Sequence, residues 1–193
     1  MSALPKTQPY FTVEEYFAHE ERADDRSEYY RGEIFAMAGG SLNHNQIVGN
    51  LYTALRRGID QSCRVFATDL RLFTKGDQFF TYPDIMVICG SLRFAPGRLD
   101  TVTNPVIIME VLSPSTETYD RGKKFEFYRA ISTLKEYILV DQNRFYVEHY
   151  QRQTNNTWLL TAFGAPESVL RLPSIELSIV LATIYERVEW EQE

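Results

Sequence analysis

Two carboxylates stand where carboxylates are expensive. Asp84 opens the run DIMVIC and Glu110 lies inside VIIMEVL, two of the most apolar stretches of the chain. An ionised carboxylate in such a strand is costly unless something cationic compensates it. A divalent metal is the simplest compensation. Two hard oxygen ligands at strand ends, with the other positions left to water and phosphate oxygens, describe how Mg2+ is held in phosphoryl-transfer sites. A salt bridge to Arg or Lys is the rival arrangement, and these two residues alone weigh the rivals about evenly.

Lys124 bears on that choice. It shares a helix face with Phe127, Tyr128 and Ile131, the apolar stripe that should meet a sheet, whereas Lys123 lines up with Glu126 and Ala130 on a more solvated face. Lys124 is therefore the lysine expected to point inward near the carboxylates, with Asp120 four residues earlier to orient its ammonium. There it would stabilise charge developing on a scissile phosphate or orient an attacking water. Snorkelling past the core is the plainer role open to a helical lysine.

The elements that must position these groups are legible from pattern. Thr12 and Glu15 have capping-box spacing before Val13, Tyr16 and Phe17, which starts a first helix ending in the charged stretch Glu20 to Arg26. Glu28 to Ala38 reads as a strand or bent hairpin around Gly32, closed by Gly39-Gly40. Ser41 then caps a helix over 42–59, in which Ile47, Leu51, Leu55 and Ile59 step by four. Three strand-like runs follow, 64–74, 79–89 and 105–112, and the last two are too continuously apolar to have a wet face. Ser113 to Tyr119 reads as a loop, and Asp120 as the cap of a helix to about Ile131. Glu136 to Asp141 is another buried strand, followed after a Gln142-Asn143 turn by an antiparallel meander over 144–151 and 157–163. The tail from Leu177 to Trp190 reads as a strand end and a short helix. The order predicts an α+β fold, a mixed sheet flanked by helices with a C-terminal meander.

An ordered set of residues carries a family resemblance. Tyr82-Pro83-Asp84, then Ile108-Met109-Glu110-Val111-Leu112-Ser113-Pro114-Ser115-Thr116, then Asp120, Lys124 and Tyr128, then Glu136 to Asp141, resemble the Uma-two family. These are restriction-endonuclease-type proteins, common in cyanobacteria and placed in the PD-(D/E)xK nuclease superfamily. The resemblance runs from about Thr12 to Tyr150 and takes in Glu28 to Glu33 and the helix from His44 to Leu51. It implies a restriction-endonuclease-like fold, a Mg2+ site (Mn2+ also serving) at Asp84 and Glu110, and hydrolysis of phosphodiester bonds in DNA. In the superfamily pattern a lysine stands two residues after the acidic residue, on the same strand face; here that position is Leu112, and Lys124 matches the helix lysine of the Uma-two pattern.

Secondary candidates come partly from the same resemblance and partly from local pattern. Glu28 resembles an acidic residue that some nucleases add from an early helix as a further metal ligand, with Glu33 as its rival. His44 matches a family histidine, able to touch a phosphate, shuttle a proton, or simply pack at a helix start. Asp69 and Arg71 fall on one strand face by alternation, as a salt bridge or as support for the site. Arg121, Lys123 and Arg129 are candidates for phosphate contacts. Of the meander aromatics Tyr137, Phe145, Tyr146 and Tyr150, some are expected to cover an interface, in line with the homodimers common among such nucleases.

Composition bounds the alternatives. With 193 residues, 44% hydrophobic and 24% charged, the chain reads as one globular domain over 1–193, its core about 12–150 with strands and a short helix in 151–193. A net charge of −6 argues against coating nucleic acid by bulk charge. Cys63 and Cys89 lack metal-ligand spacing and read as buried free thiols in a reducing compartment. Met1 to Tyr10 lacks a signal-peptide core and no apolar run approaches the ~20 residues of a membrane span, so a cytoplasmic protein without a membrane partner is expected. A serine hydrolase lacks a G-x-S-x-G elbow, and a glycosidase has no use for the lysine. The opposing class is a catalytically inactive nuclease-fold module that binds nucleic acid or protein.

Overall fold

The computed structural model describes residues 10–37, 39–76 and 78–190. The reading of a leaderless terminus at residues 1–9, and the last residue of the 28–38 hairpin, lie outside the described residues. No helix among the described residues is long and apolar enough to cross a membrane.

Local signals account for the first elements. Helix α1 (Val13–Glu20) is closed at its start by the reciprocal Thr12–Glu15 capping box. A hairpin of β1 (Ser27–Tyr30) and β2 (Glu33–Ala36) turns at Arg31-Gly32, both at positive φ. Helix α2 (Leu42–Gly58) starts at Ser41, whose side chain accepts the His44 N–H.

The next two strand-like runs each divide. The run 64–74 becomes β3 (Cys63–Ala67) and β4 (Arg71–Thr74), separated where Thr68 and Asp69 adopt positive φ. The run 79–89 becomes β5 (Phe79–Thr81) and β6 (Ile85–Cys89), parted by Tyr82-Pro83-Asp84. Each division sends the chain from one sheet to another, so two sheets stand where the sequence suggests one.

Strands β7 (Thr101–Val102), β8 (Ile107–Leu112), β9 (Glu136–Asp141), β10 (Val147–Arg152) and β11 (Trp158–Phe163) complete them. A six-stranded mixed sheet runs β11-β10-β9-β8-β6-β3, and a five-stranded sheet runs β2-β1-β5-β4-β7. The meander β9-β10-β11 is antiparallel as expected, whereas β8 and β9 are parallel, joined by the helical crossover that carries Lys124. A separate hairpin of β12 (Val169–Leu172) and β13 (Leu177–Val180) and helix α5 (Leu181–Ile184) follow.

Alternation along β6 and β8 fills two cores. Ile85, Val87, Ile107, Met109 and Val111 pack with Ile47, Leu51 and Leu55 of α2. Met86, Ile88, Ile108 and Leu112 face the other way, onto Phe127 and Tyr128 and onto Leu72 and Phe79 of the five-stranded sheet. Glu110, between Met109 and Val111, belongs by parity to this second face.

The crossover helix departs from the sequence reading. It begins at Glu117, with Thr116 at its N-cap, and runs as α3 (Glu117–Tyr119), a π turn (Asp120–Lys124) and α4 (Phe125–Arg129). Asp120 is thus inside the helix and buried rather than its cap, because the Ser113 carbonyl already takes the Thr116 and Glu117 N–H groups. Lys124 nevertheless keeps the phase of Phe127 and Tyr128 and is buried with them.

The cysteines are not free thiols. Register places Cys63 of β3 opposite Cys89 of β6, and the two are joined as a disulfide. A 26-residue separation hides that pairing from the sequence, and the case for a reducing compartment that rested on two thiols falls with it.

Candidate active site

Asp84 sits just before β6 and Glu110 in the middle of the adjacent β8. The two are coupled directly: the Asp84 N–H donates to Glu110 Oε2 at 3.2 Å, and the Val111 N–H donates to Asp84 Oδ2 at 2.7 Å. His44, in the first turn of α2, reaches Asp84 Oδ2 through Nε2 at 3.2 Å.

From the opposite side the crossover helix delivers Lys124. Its Nζ lies 3.2 Å from Glu110 Oε1, 3.3 Å from Glu28 Oε1 and 3.2 Å from Asp120 Oδ1. Tyr128, one turn further along, donates to the same Glu110 Oε1 at 2.8 Å. Glu28 also accepts a hydrogen bond from the Thr81 hydroxyl. Glu28, Glu110, Asp120 and Lys124 are all buried, and Asp84 nearly so.

Charge in this cluster does not balance. Four carboxylates, Glu28, Asp84, Glu110 and Asp120, surround one ammonium. Burial pushes the Glu110 carboxyl up to about 8 against the pull of Lys124, with the charges of Asp84 and Asp120 adding to the rise. Asp120 is raised by burial too. For Lys124 burial acts downward, but Glu110, Glu28 and Asp120 outweigh it and hold the ammonium well above its ordinary value. His44 behaves alike: desolvation lowers it, and the hydrogen bond and charge of Asp84 carry it net upward.

One oxygen of each central carboxylate is committed to the protein. Glu110 Oε1 is taken by Lys124 and Tyr128, and Asp84 Oδ2 by Val111 and His44. That leaves Asp84 Oδ1 without a hydrogen bond among the described residues and Glu110 Oε2 with only the Asp84 N–H. Two hard oxygens, one from the residue that leads into β6 and one from the adjacent β8, suit a divalent cation such as Mg2+. Among the described residues no group of three His, Cys, Asp or Glu side chains is arranged to hold a metal, so water and phosphate oxygens would have to complete its shell.

The sequence-derived candidates divide on this geometry. Asp84, Glu110, Lys124, Glu28, His44 and Asp120 converge, although Glu28 comes from strand β1 rather than an early helix. Glu33 does not converge: it is exposed on β2, opposite Tyr30. Asp69 sits in the positive-φ loop before β4, exposed, and meets Arg26 at 3.4 Å, while Arg71 is buried elsewhere with Glu20. Strand alternation does not hold across that loop, so the two never share a face.

Two of the proposed phosphate-binding cations are engaged by acids of the chain. Arg121 pairs with Glu117 at 2.8 Å and Glu148 at 3.1 Å, and Lys123 with Glu126 at 3.1 Å. Arg129 lies over the Phe125 ring at 5.1 Å. The meander aromatics also fail to form an exposed interface. Tyr137 is buried against Tyr128 and Phe125, Tyr150 packs on Phe125, Phe145 packs on Tyr185 and Trp190, and Tyr146 lies under Arg144. Alternation in a strand does not reveal that a helix and the C-terminal segment cover it. Sequence reasoning missed the Tyr128 hydroxyl as a partner of Glu110; its signal was the four-residue step from Lys124.

The architecture is that of a nuclease-like α+β protein. The chain superposes on the crystal structure of a "putative nuclease belonging to DUF820" from Anabaena variabilis with a TM-score of 0.74, covering 91% of this chain and 97% of that one at 20% identity. Residues 13–183 match the model of the Uma2 family, described as "Putative restriction endonuclease", and the chain belongs to that family. It is 43% identical over 151 residues to the uncharacterised protein sll1609 of Synechocystis sp., covering 78% of this chain and 85% of that protein. It is 36% identical over 178 residues to the uncharacterised protein slr1290 of the same organism, covering 92% of each.

Proposed function

We propose that the chain is a Mg2+-dependent endonuclease, Mn2+ also serving, that hydrolyses phosphodiester bonds in DNA. The observation that carries this reading is the crowding of acids: four buried or nearly buried carboxyl groups around Lys124, close enough that burial and their mutual repulsion hold Glu110 protonated up to about 8, with Asp84 Oδ1 and Glu110 Oε2 left available among the described residues. Such crowding is costly in the protein alone and is relieved by a hard cation.

Asp84 and Glu110 would hold the metal. When bound, it would neutralise phosphate charge and favour ionisation of a water. Lys124, fixed by Glu28, Glu110 and Asp120, would hold its ammonium toward the oxygens on which charge accumulates. Glu28, with its Oε1 on both Thr81 and Lys124, positions that lysine rather than offering a ligand. Tyr128 and Lys124 together occupy Glu110 Oε1, so Oε2 is the oxygen that would be offered to a metal. Lys124 thus stands in for the absent strand lysine at Leu112, which is committed to the core.

A second reading, a nuclease-fold module without chemistry, is favoured by one observation: Arg121 and Lys123 are engaged by Glu117, Glu148 and Glu126. The homodimer belongs to the proposal as well, with exposed Leu159 and Leu160 on the edge strand β11 as its candidate surface. Cleavage of plasmid and single-stranded DNA by wild type, Asp84→Ala, Glu110→Ala and Lys124→Ala, with Mg2+, Mn2+ or EDTA, tests the reading. Metal-dependent nicking lost in all three variants is the expected result. An inactive wild type with no metal binding by calorimetry supports the second reading instead.

A further inference from the structure

We infer that His44 is the positioning residue of Asp84, fixing its carboxylate so that Oδ1 is the oxygen presented to the metal; the inference rests on the metal site proposed above. Two donors from different elements converge on the same oxygen. The Val111 N–H of β8 reaches Asp84 Oδ2 at 2.7 Å and His44 Nε2 of α2 reaches it at 3.2 Å. With one donor the carboxylate could rotate; with two it presents Oδ1 alone.

The fold holds the histidine there at a cost. The His44 N–H is anchored on the Ser41 cap at 3.1 Å, and α2 is seated on the sheet by Ile47, Leu51 and Leu55. Gly40 closes over the ring: a Cβ at that position would lie 2.6 Å from His44 Nδ1. Nδ1 is buried and has no hydrogen-bond partner among the described residues. A buried polar atom left without a partner is costly, because it gives up its bonds to water and gains none in return. Packing alone gives no reason to bury a ring nitrogen in this way. The contact with Asp84 does, because it is the ring's polar interaction among the described residues. His44 therefore acts through Asp84 and is not required to touch a phosphate. Ligand-holding groups of this kind typically change metal affinity by about 10–100-fold when removed.

Gly40 provides a variant that moves the ring without altering its chemistry. Titration calorimetry with Mn2+ alone would be run on wild type, Asp84→Asn, His44→Ala, His44→Gln and Gly40→Ala, with circular dichroism to establish folding. The inference expects binding by wild type, none by Asp84→Asn, affinity about tenfold weaker in His44→Ala and Gly40→Ala, and His44→Gln within about threefold of wild type. The glutamine keeps an Nε2–H donor. If His44→Ala fails to fold, exposed Gly40→Ala carries the test. Wild-type binding with His44→Ala and Gly40→Ala unchanged, or His44→Gln as weak as His44→Ala, would overturn the positioning role and leave the metal site intact. Failure of wild type to bind, or undiminished binding by Asp84→Asn, would overturn the metal site and the inference with it.

Discussion

The molecule buries two cation–carboxylate clusters on either side of the five-stranded sheet, and they are built to different rules. Around Arg71 every polar atom is matched. Its Nε donates to the Tyr82 hydroxyl at 2.8 Å, Nη2 to Glu20 at 3.3 Å and Nη1 to Asp100 at 3.3 Å, while the Tyr16, Phe17 and Tyr82 rings pack on the guanidinium. Glu20 spends its second oxygen on the Ser27 N–H, and Arg98 shares Asp100. Around Lys124, one cation serves three carboxylates, a fourth stands beside them, and an oxygen of Asp84 is left bare among the described residues. A matched cluster ties α1 to the sheet; the unmatched one is where the proposed metal would supply charge from outside.

Removing the cation from each cluster tests that contrast most severely. Arg71→Met and Lys124→Met should each lose about 3–5 kcal/mol in urea denaturation, since buried carboxylates are left unpaired. Saturating Mn2+ should restore part of the loss in Lys124→Met and none in Arg71→Met, because only a site with open oxygens gains by ligation. Equal rescue of both, or of neither, would erase the distinction.

A pH series sharpens it. Glu110 is raised from 4.5 to about 8, so between those values the folded protein holds a proton the unfolded chain has lost. Stability from this group is therefore full below about 4.5 and falls as pH rises toward 8. In EDTA, Glu110→Gln should match or exceed wild-type stability at pH 8 and lack that decline. For Asp100, whose pairing with Arg98 holds it well below the carboxylate range, the sign reverses. Its contribution is present above the unfolded value and fades as pH falls, so Asp100→Asn should matter less in acid. Urea midpoints across pH read both. The smallest effect belongs to Lys123: its exposed pair with Glu126 should be worth less than about 0.5 kcal/mol, and Lys123→Ala should melt like wild type.

The site was legible where local pattern carries geometry. Asp84 and Glu110 stood out because charge interrupts apolar strands, and Lys124 with Asp120 because helical phase is computed from spacing. Glu28 entered only by resemblance, since nothing local tells that β1 lies across a second sheet from the crossover helix. The His44–Asp84 contact spans 40 residues and depends on how α2 seats on the sheet. Asp69 was misplaced because two successive left-handed residues break the alternation on which the reading relied. The single mixed sheet became two for the same reason: strand pattern reports faces and not the bends that pass a chain from one sheet to the next.

The bond between Cys63 and Cys89 closes a covalent ring around β4, β5 and Asp84 and leaves Glu110 and Lys124 outside it. Drawn taut by its two ends, the chain would fall short of its full contour by about 90 Å, taking ~3.5 Å for each bridged residue. Mechanically, the segment bearing Asp84 is slack that no pull on the termini can extend, while the strand and helix that complete the site unspool freely.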